Sequence, residues 1–335
     1  MISLDNIEFV GQGLNRPECV LTHKSGLLFA ADWTKNGGVS IIGTDHSVHH
    51  ILSKDSSFEV RPNGIAVEQK GSFLLAHLGP ETGGLFRLYP DGTLEDVLTE
   101  LDGTALPPSN YVHIDTQGRT WITVSTRQVP RAAAYRGDVA DGYVILIDEI
   151  GARIVADDIG YTNECLVHPD GKRLFVNETF ARKLSSFDID AKGNLSNKKI
   201  VCEFGAGTFP DGMTFDTEGG IWITSIVSNR VIRVTEDGTQ EILIEDVDQE
   251  HLDNVEDAFG RAAMGRPHLD RAHSQKLKNI SSLAFGGADL KTAYLGCLLG
   301  DQIARFQSPF SGVKPAHWDA PLSKLRPLLS SNTPQ

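Results

Sequence analysis

Short apolar runs separated by polar turns recur along the chain at a nearly constant interval. Leu27-Leu28-Phe29-Ala30, Phe73-Leu74-Leu75-Ala76, Thr120-Trp121-Ile122-Thr123, Leu174-Phe175-Val176 and Ile221-Trp222-Ile223-Thr224 are rich in aromatic and β-branched residues and are bounded by Gly- or Asp-containing turns. They predict buried strands. Before each lies a phrase with an oxygen-bearing side chain: Glu18 in R-P-E-C-V, Asn63 in R-P-N-G-I, Asn110 in P-S-N-Y-V, Asn163 in Y-T-N-E-C, Asp211 in F-P-D-G-M, and last Ser281 in I-S-S-L-A. These six positions are 45, 47, 53, 48 and 70 residues apart, the period of four-stranded blades rather than of helical solenoids. The pattern predicts an all-β fold, a six-bladed β-propeller with a helical insertion before the last blade. No linker interrupts the repeats, so residues 1–335 read as a single domain.

Three stretches fall outside the regular spacing. Residues 245–278 account for the longest gap; Leu252, Val255, Phe259 and Met264 are spaced as one helix face, with Asp253 or Asn254 as the expected cap and a lid or a dimer contact as the expected role. His251, His268 and His273 in this stretch have no H-x-x-x-H spacing and read as surface residues. Between Thr126 and Asp141, Arg127, Arg131, Arg136 and Tyr135 offer fork-like donors for a carboxylate or a hydroxyl-rich ligand, or a solvated loop with internal Arg pairs. Ile7-Glu8-Phe9-Val10 precedes the first repeat and is expected to supply the outer strand of the last blade. Residues 310–335, with four prolines, are expected to form a packed or fraying tail.

Composition narrows the classes of partner. A formal charge of −13 with no basic run argues against nucleic acid, and no stretch of 18 apolar residues is present to cross a membrane. The start Met1-Ile2-Ser3-Leu4-Asp5-Asn6 has no basic or continuous apolar region, so a soluble cytoplasmic protein is expected. Cys19, Cys165, Cys202 and Cys297 lie in strand-like segments without C-x-x-C spacing, which predicts free buried thiols, no disulfide and no zinc site built on cysteine.

Six equivalent positions related by rotation about one axis should converge on it. Two carboxylates and three amide oxygens form a hard, all-oxygen set suited to Ca²⁺, with Mg²⁺ or Mn²⁺ as alternatives. The competing explanation is that Asn and Asp at strand starts cap turns.

These residues resemble the senescence-marker-protein/gluconolactonase (SGL) propellers, with a more distant likeness to diisopropyl-fluorophosphatase and the paraoxonases. The likeness runs from Arg16-Pro17-Glu18 through Thr162-Asn163-Glu164 and Pro210-Asp211-Gly212 to Leu283-Ala284-Phe285-Gly286-Gly287. It implies that Glu18, Asn163 and Asp211 hold one divalent metal, Ca²⁺ before Mg²⁺, Mn²⁺ or Zn²⁺, that Asn110 lies near metal and substrate, and that Asn63 lines the cavity. It further implies hydrolysis of a lactone; a metal in an open oxygen site polarises the carbonyl for attack by water, with Asp211 preferred over Glu18 as the catalytic base and Glu18 as a mainly structural ligand. The sugar-lactone members carry an Arg two residues before the third-blade Asn, where this chain has Pro108. That departure shifts the expected substrate to a different lactone or ester, contacted by Arg127, Arg131 and Tyr135 besides Asn63 and Asn110. Organophosphate or aryl-ester hydrolysis at the same metal and a non-catalytic, metal-stabilised propeller are the competing functions, and a homo-oligomer is compatible with the sequence.

Overall fold

A computed structural model describes residues 1–272 and 274–325. Six four-stranded antiparallel sheets follow one another along the chain. Their innermost strands are Val20–Thr22, Pro62–Val67, Ser109–Ile114, Thr162–Val167, Phe209–Phe215 and Ile280–Gly286. The sixth sheet is completed by the strand Glu8–Val10, which pairs with Ile303–Gln307 in the register Glu8↔Arg305, Phe9↔Ala304 and Val10↔Ile303. The first strand of the chain therefore closes the ring, as the orphan apolar stretch before the first repeat predicts, and no blade is left with a bare edge at the seam.

The core is built blade against blade. Phe29, Phe73, Trp121, Trp222 and Phe209 are fully buried. Two blades repeat one device: the Trp121 indole donates to Asp115 at 2.9 Å and the Trp222 indole to Asp216 at 2.8 Å. Arg119 and Arg233 pair with the same two carboxylates at 2.7 and 2.6 Å. Each aspartate ends an inner strand, so the turn, the next strand and an arginine are tied at one point.

The long insertion contains two helices, α1 (Gln249–Gly260) and α2 (Arg266–Asp270). Asp248 caps α1 by accepting from the His251 backbone at 3.1 Å. The helix thus begins before Asp253 and Asn254, which lie inside it; the capping hydroxyl or carboxylate belongs outside the apolar face, and Asp248 is the residue placed there. Leu252 and Val255 of α1, Met264 between the helices and Leu269 of α2 are buried in one cluster with Tyr135, Tyr161, Phe180 and Phe209. Arg182 fixes α1 to the ring: it pairs with Glu256 at 2.7 Å and lies 4.3 Å over Phe209 and 4.2 Å over Phe259. The insertion is consequently docked on the propeller, together with the Thr126–Asp141 loop. His251 and His268 are half-buried, the ring Nε2 of His251 meeting the His268 carbonyl at 2.8 Å; His273 lies outside the described residues.

At the opposite face the described part of the tail packs across the ring. Val313 donates its backbone N–H to Phe215 at 2.9 Å, His23 Nε2 meets the Ala320 carbonyl at 3.0 Å, and Leu325 is buried in the core near Gly71. The remainder of the predicted tail, 326–335, lies outside the described residues.

Candidate metal and active site

Five of the six column residues occupy one local structure. The pairing of the innermost strand with its neighbour slips between Pro62 and Ile65, Ser109 and Tyr111, Thr162 and Cys165, Pro210 and Met213, and Ile280 and Ser282. Asn63, Asn110, Asn163, Asp211 and Ser281 lie inside those slips. A β-bulge removes a residue from the ladder and re-aims its side chain, so the same irregularity in five blades turns five polar side chains out of the alternating pattern. Gly64 and Gly212 follow two of them because the next blade comes close: a Cβ at Gly64 would lie 2.7 Å from Tyr111 Cα, and one at Gly212 would lie 2.4 Å from the Ser281 carbonyl.

Blade one uses a turn instead. Arg16 adopts φ 53°, and the Glu18 backbone N–H returns to the Arg16 carbonyl at 2.7 Å. The hydroxyls of Ser281 and Ser282 donate to the Glu18 carbonyl at 2.9 and 2.6 Å. Ser281 thereby joins the last blade to the first, which explains a hydroxyl in the sixth place where the others carry Asn, Asp or Glu.

Glu18, Asn63, Asn110, Asn163 and Asp211 are all buried. The Oδ1 atoms of Asn63, Asn110 and Asn163 have no hydrogen-bond partner among the described residues. Three unpaired buried amide oxygens are expensive unless a donor or a cation answers them. Burial and the neighbouring Glu18 carboxylate push the Asp211 carboxyl well above the usual carboxylate range, against the opposing influence of Arg16, Asn163 and Arg131. Two carboxylates and three unanswered amide oxygens fit a hard divalent cation. No group of three or more His, Cys, Asp and Glu side chains suited to a metal occurs among the described residues; the fit depends on the asparagine oxygens.

Several contributors were not among the sequence candidates. Arg16 donates to Glu18 Oε2 at 2.7 Å and lies 4.4 Å over the Trp33 ring. Asn177 donates to the Asp211 and Gly212 carbonyls at 2.9 and 3.2 Å, fixing the bulge that carries Asp211. Glu164, buried beside Asn163, accepts from the Met213 N–H at 2.9 Å, and burial, with Asp211 and Glu18 nearby, drives its carboxyl well above the usual range. It borders a cavity of about 130 Å³ lined also by Tyr111, His113, Met213, Phe285 and His317.

Arg127 and Tyr135 both make contacts within the protein. Arg127 makes two 2.8 Å bonds to Asp157 and covers Tyr143 at 4.3 Å. Tyr135 is buried, stacked on Phe180 at 4.6 Å and set edge-on to Tyr161 at 5.5 Å. Arg131, four residues after Arg127, is the arginine of this loop whose charge reaches Glu18 and Asp211.

Residues 78–246 match the model of the SMP-30/Gluconolactonase/LRE-like region, which is half of the chain. The chain belongs to the SMP-30/gluconolactonase/LRE-like family. Among curated members and relatives, 6-deoxy-6-sulfogluconolactonase of Pseudomonas putida is 25% identical over 233 residues, 68% of this chain and 66% of that protein. Diisopropyl-fluorophosphatase of Loligo vulgaris is 28% identical over 170 residues, 47% of this chain and 53% of that protein. The matched stretches thus span about two thirds and about half of those relatives. A gluconolactonase structure from Xanthomonas campestris shares the propeller fold, with TM-score 0.66 and 18% identity over 90% of this chain and 89% of that one. No helix among the described residues is long and apolar enough to cross a membrane.

Proposed function

We propose that this family member is a divalent-metal-dependent hydrolase that opens a lactone ring. The observation carrying this reading is the set of unpartnered Oδ1 atoms of Asn63, Asn110 and Asn163 beside the buried carboxylates Glu18 and Asp211. Family membership and a relative named as a sugar-acid lactonase support the cyclic ester as substrate class.

Glu18, Asn163 and Asp211 would hold the cation, with Ca²⁺ the best match to an all-oxygen set. When bound, the cation supplies Lewis acidity to the lactone carbonyl and charge compensation for the oxyanion. The protein's own groups supply the rest. Asp211 accepts the proton of the water that adds to the carbonyl carbon and returns it to the alkoxide as the ring C–O bond breaks, leaving a hydroxy acid. Arg16 holds Glu18 in place through its 2.7 Å bond, and the amides of Asn63 and Asn110 are available to orient the substrate.

The testing experiment is hydrolysis of aldonolactones, aliphatic γ- and δ-lactones, aryl esters and a phosphotriester by chelator-treated protein with each divalent ion restored. Turnover confined to lactones supports the reading. Turnover confined to the phosphotriester would transfer it to the chemistry named for the squid relative. Cation binding without turnover of any member would favour a non-catalytic propeller.

A further inference from the structure

Apart from Arg131, the other two arginines of the Thr126–Asp141 loop are internally paired, as are several arginines around them. Arg127 is held by Asp157, Arg136 by Asp138, Arg182 by Glu256, Arg266 by Asp270, and Arg16 at the ring by Glu18. Arg131 has no carboxylate partner among the described residues, although it is half-buried. A guanidinium partly withdrawn from water without a partner gives up hydration for nothing unless a ligand supplies the missing oxyanion.

The position of Arg131 is fixed by its surroundings. It begins the 3-10 turn Arg131–Ala134, whose last residue is fully buried and is followed by Tyr135 in the aromatic cluster with Tyr161 and Phe180. That cluster also contains Phe209, two residues before Asp211, and Tyr161, two residues before Asn163. The turn is therefore clamped to the blade ends that carry the ring. Glu18, Asp211, Tyr135 and Tyr161 all lie within electrostatic reach of Arg131, and Arg16 feels both Arg131 and Arg266.

Charge balance gives this placement a consequence. Arg16 and Arg131 face Glu18, Asp211 and the buried Glu164, and Arg266 is offset by Asp270, so the divalent cation of the proposed function would leave the site with a net positive charge even with all three carboxylates ionised. A neutral lactone does not compensate that excess, whereas a substrate with its own oxyanion does. We propose that the site takes an anionic lactone, one bearing a carboxylate or a similar oxyanion away from the ester, and that Arg131 receives that group. This specificity rests on the lactonase reading, and Arg131 acts through binding rather than bond breaking.

The test pairs galactono-1,4-lactone, which is neutral, with galactaro-1,4-lactone, which has the same ring and a free carboxylate. Cation-loaded wild type, Arg131→Gln and Arg131→Lys are compared on both, together with calorimetric binding of galactarate. The expected result is a wild-type preference of about tenfold or more in kcat/KM for the charged lactone, consistent with one charge-assisted contact. Arg131→Gln should remove that preference through KM, costing the charged lactone about tenfold more than the neutral one, with Lys recovering part of the loss. Equal or better use of the neutral lactone by wild type, or an equal effect of Arg131→Gln on both, would overturn the proposal while leaving the lactonase reading intact. If neither lactone turns over, the lactonase reading fails for this class, and galactarate decides: binding lost in Arg131→Gln sustains anion recognition, and no binding ends it.

Discussion

Asn163 donates an amide N–H to Thr179 Oγ1 at 2.9 Å, and that bond fixes the amide nitrogen toward blade four. An asparagine can present an acceptor or a donor; Nδ2 donates to Thr179, and Oδ1 has no partner among the described residues. The Thr179 hydroxyl in turn donates to the Pro210 carbonyl at 2.8 Å. One threonine just after the second strand of blade four therefore orients Asn163 in its own blade and steadies the strand that carries Asp211 in the next.

Thr179→Val should keep the volume and remove both bonds. Divalent-cation affinity is expected to fall by about 10–100-fold, the usual effect of losing a group that orients a ligand. Calorimetric titration of Ca²⁺ into wild type and variant checks this, and unchanged affinity would remove Asn163 from the set.

Gly212→Ala tests the bulge. The added methyl would lie 2.4 Å from the Ser281 carbonyl and 2.5 Å from Ser282 Cα, both backbone atoms of the adjoining blade. The blades must separate there, at a cost of about 1–3 kcal/mol, typical of overpacking. Denaturant titration should show that loss, and turnover should drop more than stability alone explains because Asp211 moves with the strand. A variant as stable and as active as wild type would contradict the close approach.

Much of this arrangement is legible in the chain itself, and the missing parts share a cause. The repeated Asn, Asp and Glu positions are visible because one structural unit recurs, and N-G and D-G mark two of the bulges. Thr179 and Asn177 are invisible at that level: their role depends on which residues of two paired strands face each other, a matter of register. Glu164 escapes notice because a bulge breaks the two-residue alternation that would otherwise assign its side. In the Thr126–Asp141 loop, nothing in the sequence tells which arginine finds an internal carboxylate, and Arg127 meets Asp157 only after folding.

A pH effect follows from His77, whose pKa is lowered to about 4 by burial and by Arg61, with Glu59 opposing. Its Nδ1 accepts from the Arg61 backbone at 2.9 Å, and Phe58 and Phe86 pack on the ring at 5.0 and 5.6 Å. A base with a depressed folded pKa is neutral in the folded state while the unfolded chain binds a proton, so stability should fall as pH drops from about 6.5 toward 4. The contribution is at most about 3 kcal/mol. Unfolding midpoints of wild type and His77→Gln between pH 4.5 and 7 should diverge with pH. Parallel curves would show that His77 is not held neutral.

The central claim is a cation-dependent lactonase centred on Glu18, Asn163 and Asp211. The most direct measurement is lactone hydrolysis by chelator-treated wild type and Asp211→Asn, with and without restored Ca²⁺ and related ions. The account predicts no turnover by the chelated protein, recovery with one divalent ion, and no recovery in Asp211→Asn despite an intact fold by circular dichroism. Undiminished hydrolysis after chelation, with Asp211→Asn as active as wild type, would contradict it.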